Sequence, residues 1–465
     1  MEPTITEGNK PTIHLPLLSH LPPVIPPTSY LNFLKTWWKR NDKTSAIAER
    51  RLLHFLYTGP ESYSSFPKPT PLIGRILRVN LDSPGTNTTK VDKSKERIVN
   101  TFHLFSAPNP LPDQPMFKHE PETGDIKSSI EEASETSTKN LVVCHGYGAG
   151  LGFFYKNLFS FGQAPGWQVF AVDWLGMGRS SRPKWTFSRK SNESWDDIVD
   201  DVEDHFVESL EEWRKKVGLE KMTLMGHSLG GYFSSCYALK YPQRVEKLIL
   251  VSPAGIPEPP PGVEPTKQLP NKSPKEQLDE GANQLNASLQ AQAVDVNMNP
   301  DEPATEASPQ SPPIQARKMP GWAVYLWNKN ITPMSLVRFG GPLGATLVNS
   351  YTSRRFAHLE TEERHCLYDY LYNITSSTGS GEYALAAVLA PGAYARKPLF
   401  HRLANLQMPV VFIYGEHDWM DYKAANRVAE IMKVPVKVIL VQHGGHHMYI
   451  DNPEEFNEEV AKEMQ

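Results

Sequence analysis

The chain has 465 residues and a formal net charge of −4, from 48 basic and 52 acidic residues. That length suits one large domain with insertions, or two domains, and the near balance of charge leaves no nucleic-acid footprint. Cys144, Cys236 and Cys366 build no disulfide framework and fit a reducing, intracellular compartment.

Residues 1–28 are proline-rich, as in Leu21 to Pro27, and read as an extended, disordered lead. They lack the basic-then-apolar layout of a secretory leader. Glu2, Glu7 and the absence of arginine before Arg40 do not suit a mitochondrial transit peptide. Residues 29–57 read as two amphipathic helices. The first carries Leu31, Phe33, Leu34, Trp37 and Trp38 ahead of Lys39 and Arg40; the second lines up Leu52, Leu53 and Leu56. Tryptophans beside basic residues suit a membrane surface. The plainer reading docks the same aromatics on the body of the protein. No apolar run is long enough to span a bilayer.

The first part of that body covers 70–256. Gly74 to Val79 and Arg97 to Phe105 read as strands, with a polar, loop-like stretch from Ser106 to Lys139. Asn140 to Cys144 is a buried strand that runs into His145-Gly-Tyr-Gly-Ala-Gly150. Such a loop can present backbone N–H groups to an anion. It is no phosphate-binding P-loop, because no Lys-Ser/Thr pair follows the glycines. Trp167 to Val172 is the next strand, and Asp173 reads as ordering the loop behind it. Trp195 to Lys216 is an amphipathic helix with Ile198, Val202, Phe206, Leu210 and Trp213 facing the core.

Met222 to Gly231 is the stretch around which the rest is organised. An apolar run ends in Gly226-His-Ser228-Leu-Gly230 and a helix-compatible run follows. This pattern places a serine on a sharp strand-to-helix turn. Lys247 to Val251 is another strand. Residues 257–316 are rich in Pro, Gln, Asn, Ser and Ala and read as a disordered insertion, too poor in apolar surface to offset chain entropy. Residues 317–401 are aromatic-rich and read as a helical cap over the serine. Residues 402–465 resume the body, with strands at Pro409 to Tyr414 and Val436 to Val441.

Each of the last two strands opens into a polar loop. The first holds Asp418, with Glu416 and Asp421 as competing carboxylates. The second holds His446, with His447 as the competing imidazole and His443 and His227 in supporting places. A metal cluster of His443, His446 and His447 lacks a carboxylate partner at helical spacing, so neither metal nor cofactor is expected. Serine needs an imidazole to take its proton and a carboxylate to orient that imidazole. The order Ser228, Asp418, His446, each after a strand, is that of the α/β-hydrolase arrangement. The expected fold is α/β: a mostly parallel eight-stranded sheet with a helical cap insertion. The N–H groups of Leu229 and of Gly146 or Tyr147 are the expected oxyanion hole.

The chain resembles a family of α/β-hydrolase-domain lipid enzymes. That family includes the lipid-droplet coactivator of triglyceride lipase, the N-acyl-phospholipid hydrolases and the yeast cardiolipin-specific deacylase. The resemblance rests on Ala48-Glu49, His145-Gly-Tyr-Gly148, Asp173 to Gly178, Gly226 to Gly230, Asp418-Trp-Met420 and His446-x4-Asp451 with Asn452-Pro453 after it. It covers most of residues 30–256 and 317–465. It implies a serine hydrolase acting on a phospholipid (cardiolipin among the options) or a related acyl ester, membrane-associated. The implied site is the mitochondrial inner membrane, with the lipid droplet as the alternative. The coactivator lacks the nucleophilic serine; this chain keeps Ser228, which favours an enzyme over a non-catalytic lipase regulator. His-x4-Asp is also read in the family as an acyltransferase motif, so transfer to a lysophospholipid such as lysophosphatidic acid is the alternative reaction.

Overall fold

The computed structural model describes residues 21–58, 66, 70–81, 96–110, 116–120, 122–187, 194–259, 321–391 and 394–465. The expected lead as far as residue 20, and the expected insertion from residue 260 on, lie outside these. The strands are β1 (Leu72–Leu81), β2 (Arg97–Ser106), β3 (Phe117–His119), β4 (Lys139–Cys144), β5 (Trp167–Val172), β6 (Met222–His227), β7 (Val245–Val251), β8 (Val410–Gly415) and β9 (Val436–Val441). They form one nine-stranded sheet in the order β3-β1-β2-β5-β4-β6-β7-β8-β9. From β5 to β9 every pairing is parallel, and β2 is antiparallel to both β1 and β5.

The central strands are apolar runs because the sheet is covered on both faces. Every residue of β5, β6 and β8 is buried. One face packs on α5 (Trp195–Val217) and α6 (Leu229–Lys240); the other packs on α2 (Asp42–Thr58), on α4 (Leu158–Gly162) and on the last helix of the chain. Helix α5 shows why the sequence starts and stops where it does. Ser194 caps it by accepting from the Asp197 N–H, Asp196 and Asp197 fill the first turn, and Gly218 ends it at φ +82°. Its five predicted core residues are all buried. The chain leaves β4 toward β5 and returns on the other side as β6. Strand order therefore reverses between β4 and β6, and their carboxyl ends open the crevice where such sheets bind ligands.

Two expectations are corrected. The sheet has nine strands, not eight, and the stretch from Ser106 to Lys139 is not plain loop. It holds β3, parallel to β1 at the edge, and α3 (Ile126–Ser134), which buries Ser129 and Ala133. Arg75 on β1 pairs with both Glu120 and Glu132, so Glu132 ties this segment to the sheet.

The cap is helical, as expected: α7 (Gly321–Asn328), α8 (Pro333–Phe339), α9 (Pro342–Arg355), α10 (Thr361–Thr375) and α11 (Ala384–Val388). Tyr368, Tyr370 and Tyr372 of α10 are buried. The two N-terminal helices behave differently. Helix α2 buries Ala46, Ile47, Ala48, Leu52, Leu53 and Leu56 and packs on α10, so it belongs to the core. Helix α1 (Tyr30–Lys39) buries Phe33 and exposes Tyr30, Leu31 and Trp38.

Candidate active site

Ser228 stands between β6 and α6 at φ +54°, ψ −119°. That conformation is costly for a residue with a side chain, on the order of 1–3 kcal/mol, and the surrounding structure must hold it. It is held from both sides. The Ser228 N–H donates to Val251 O (2.9 Å), and Ser228 O accepts from the N–H groups of Tyr232 (3.1 Å) and Ala254 (3.0 Å). The flanking glycines permit the close approach. A Cβ on Gly226 would lie 2.6 Å from Gly230 O, and one on Gly230 would lie 2.3 Å from His145 O.

The carboxyl ends of β8 and β9 bring the partners. His446 Nε2 is 3.0 Å from Ser228 Oγ, and His446 Nδ1 is 3.1 Å from Asp418 Oδ1. With Asp418 ionised, Nδ1–H donates to it, and Nε2 is left to accept from the serine hydroxyl. Burial pushes the Asp418 carboxyl up, but hydrogen bonds from His446, Ser252 and the Met420 N–H (3.0 Å) outweigh it and hold the pKa below the usual carboxylate value. The His446 main chain is held as well: His227 Nε2 donates to the backbone oxygen of His446 (2.8 Å).

The neighbouring candidates go elsewhere. His447 packs against Phe153 and Phe356, with ring centroids 5.8 Å away in each case. Burial, with Arg355, His227 and His446 nearby, pulls its pKa well below the usual histidine value. Asp421 caps α12 (Tyr422–Ile431) by accepting from the Lys423 N–H, and Glu416 accepts from the exposed His443 N–H. Asp173 accepts from the N–H groups of Leu151 and Arg179 and from the Asn100 amide, which is the loop-ordering role read from the sequence. His145, in the loop after β4, is buried and accepts from the Trp174 N–H (3.2 Å).

The glycine loop after β4 lies against the serine: a Cβ on Gly146 would come within 2.9 Å of Ser228 Cβ. The N–H of Leu229 is among those a helix leaves without an internal partner at its first turn. Neither it nor the N–H of Tyr147 makes a hydrogen bond among the described residues. The helix start after Ser228 and the glycine loop against it thus each keep an amide donor without a bond among the described residues.

One residue went unread in the sequence. Ser252 follows β7 at φ +43°, is fully buried, and donates its hydroxyl to Asp418 Oδ2. The available signal was a serine directly after the buried run Lys247 to Val251, next to the elbow strand. Ser252→Ala is expected to lower ester turnover about tenfold, the worth of one hydrogen bond to a charged group. It also removes support for the carboxylate form, so the acid limb of the pH–rate profile moves upward. Unchanged rate and profile would deny Ser252 this role.

A family model for the alpha/beta hydrolase fold matches residues 139–453, more than half of the chain. The chain belongs to the α/β-hydrolase family. Among the relatives of this α/β hydrolase is a "1-acylglycerol-3-phosphate O-acyltransferase" of Arabidopsis thaliana, 37% identical, the match covering 69% of this chain and 65% of that protein. The "Probable 1-acylglycerol-3-phosphate O-acyltransferase" of Oryza sativa is 35% identical, over 70% of this chain and 67% of its own length. A "(Lyso)-N-acylphosphatidylethanolamine lipase" of Bos taurus is 30% identical, over 69% of this chain and 78% of that protein. The hydrolase therefore spans about two thirds of the plant proteins and sits in a lipid acyl-handling branch of its family.

Proposed function

We propose that this α/β hydrolase deacylates a phospholipid, or a related acyl ester, at a membrane surface through an acyl-enzyme. The observation that carries the reading is the unbroken line from Ser228 Oγ to His446 to Asp418, at 3.0 and 3.1 Å. Ser228 Oγ attacks the ester carbonyl while His446 Nε2 takes the hydroxyl proton. The Tyr147 and Leu229 amides receive the oxyanion. The tetrahedral species collapses, the C–O bond to the lysophospholipid breaks, and His446 returns the proton to that leaving alkoxide. Water then attacks the acyl-serine, again through His446, and a fatty acid leaves. Asp418 orients the ring and stabilises its charged form throughout.

A second reading is favoured by the names of the plant relatives: the hydroxyl of a 1-acylglycerol-3-phosphate, in place of water, intercepts the same acyl-serine. Product analysis separates the two. Purified protein is given a labelled phospholipid (cardiolipin as one of the panel), with and without lysophosphatidic acid; acyl-CoA with lysophosphatidic acid is the second donor. Labelled fatty acid as the main product in both supports hydrolysis. Labelled phosphatidic acid that rises with the acceptor, at the expense of fatty acid, replaces it with transfer.

Asp451, the end of His446-x4-Asp451, bears on this choice. Its carboxylate is paired with Arg355 at the end of α9 (2.9 and 2.7 Å) and accepts from the Gly445 N–H (3.0 Å). These contacts suit a clamp between cap and His446 loop rather than a reacting group. Asp451→Asn is expected to slow hydrolysis and any transfer together, roughly tenfold, as loss of positioning. Loss of transfer alone, with hydrolysis intact, would give the motif a chemical role.

A further inference from the structure

Large apolar side chains exposed to solvent are concentrated in one part of the molecule. Tyr30, Leu31, Leu34 and Trp38 come from α1; Leu336, Phe339, Leu343, Leu347 and Tyr351 come from α8 and α9. Trp38 is 79% exposed and Phe339 83%. The spacing is helical in both places. Leu31, Leu34 and Trp38 share one face of α1, while Leu343, Leu347 and Tyr351 share one face of α9. The two helices pack on each other: Asn349 donates to Pro27 O just before α1, and Gly341 lies beside the Trp37 indole. Exposed apolar side chains gathered on helices that pack together are uncommon on a soluble protein and mark a docking surface.

Charge points to the occupant. The chain as a whole carries more acid than base, yet α1, α8 and α9 contain no Asp or Glu. Lys35, Lys39, Arg40 and Arg354 are exposed on or next to these helices. Apolar and aromatic side chains on helices that carry cations and no carboxylates suit the interface of an anionic bilayer.

We infer that α1 and the cap helices α8 and α9 form a single docking face for an anionic phospholipid bilayer. The inference rests on the lipid-ester reading and goes beyond it: the cap, and not the N-terminal helix alone, seats the enzyme. Helix α9 also ends at Arg355, which holds Asp451 in the His446 loop, so the docking face is built onto the site.

The test uses the full-length chain, sedimented with vesicles of phosphatidylcholine alone or with a minority of phosphatidylglycerol. The variants are Phe339→Ser with Leu343→Ser and Leu347→Ser in the cap, and Leu34→Ser with Trp38→Ser in α1. Each set is expected to weaken partitioning tenfold or more, and turnover of a short soluble ester should stay at the parent rate. Lys35→Glu with Lys39→Glu should abolish the preference for phosphatidylglycerol. A cap variant that partitions like the parent overturns the inference. So does one that changes only from dimer to monomer, because the face would then seat a second copy of the chain. Ser228→Ala protein should partition normally. Failure of the catalytic reading would therefore show in the ester assay of the parent and leave the vesicle result standing.

Discussion

Ser228→Ala is expected to cut ester turnover about ten-thousand-fold or more while the protein stays folded. Every feature of the site converges on this one oxygen. The backbone that strains it, the imidazole at 3.0 Å and the carboxylate behind that imidazole have no effect on chemistry without it. Alanine keeps the Cβ that the positive φ already tolerates, and it removes only one hydrogen bond, worth about 1 kcal/mol. A urea titration should therefore show nearly the parent midpoint. His446→Ala should lose about as much activity, and the double variant scarcely more, because groups acting as one unit do not add. A variant series in which the losses multiplied would mean that serine and histidine act in separate steps.

Asp173→Ala is expected to cost about 4 kcal/mol of folding stability, from the orphaned donors it leaves. The side chain is fully buried and accepts three bonds: from Leu151 N (2.7 Å), Arg179 N (2.8 Å) and Asn100 Nδ2 (2.9 Å). These join the strip after β4, the turn after β5 and strand β2. Gly178 closes over the same group, since a Cβ there would lie 2.2 Å from the carboxyl carbon. Asp173→Asn offers little relief, because its amide would turn N–H groups toward at least one of three donors. Against a typical total of about 5–15 kcal/mol, this loss leaves the chain marginal. The fall in the urea midpoint measures it. A loss below about 1 kcal/mol would mean that the loop is ordered by something else.

The parts of this molecule that the sequence made legible are those written in local chemistry. The elbow shows itself because glycines must flank a serine that is forced to positive φ. Asp418 and His446 show themselves because each lies in the polar loop that follows an apolar strand. The final helix shows itself by Asn452, whose side chain accepts from the Glu455 N–H ahead of Pro453 and two acidic residues. What stayed hidden depends on partners far away in the chain. Strand β3 has three residues and exists only because β1 offers an edge. Glu49 of α2 is buried against Arg179 and Asn100, partners 130 and 51 residues away that its own helix does not announce. Burial there pushes its pKa up to about 7, although the Arg179 guanidinium opposes the shift. Arg355 and Asp451 are 96 residues apart and carry no shared motif. Between His446 and His447 the sequence offers only the glycines before His446 and its spacing to Asp451. Neighbouring side chains leave the backbone in different directions, and only the fold settles which one meets the serine.

The acyl-enzyme itself is the most direct observation available. Protein mixed with a slowly released ester or a fluorophosphonate, then digested and weighed by mass spectrometry, should carry one adduct, on the peptide containing Ser228. His446→Ala should suppress it, and Ser252→Ala should slow it. Continued turnover of phospholipid with no adduct at Ser228 would contradict the account, since the ester would then be opened by some other group.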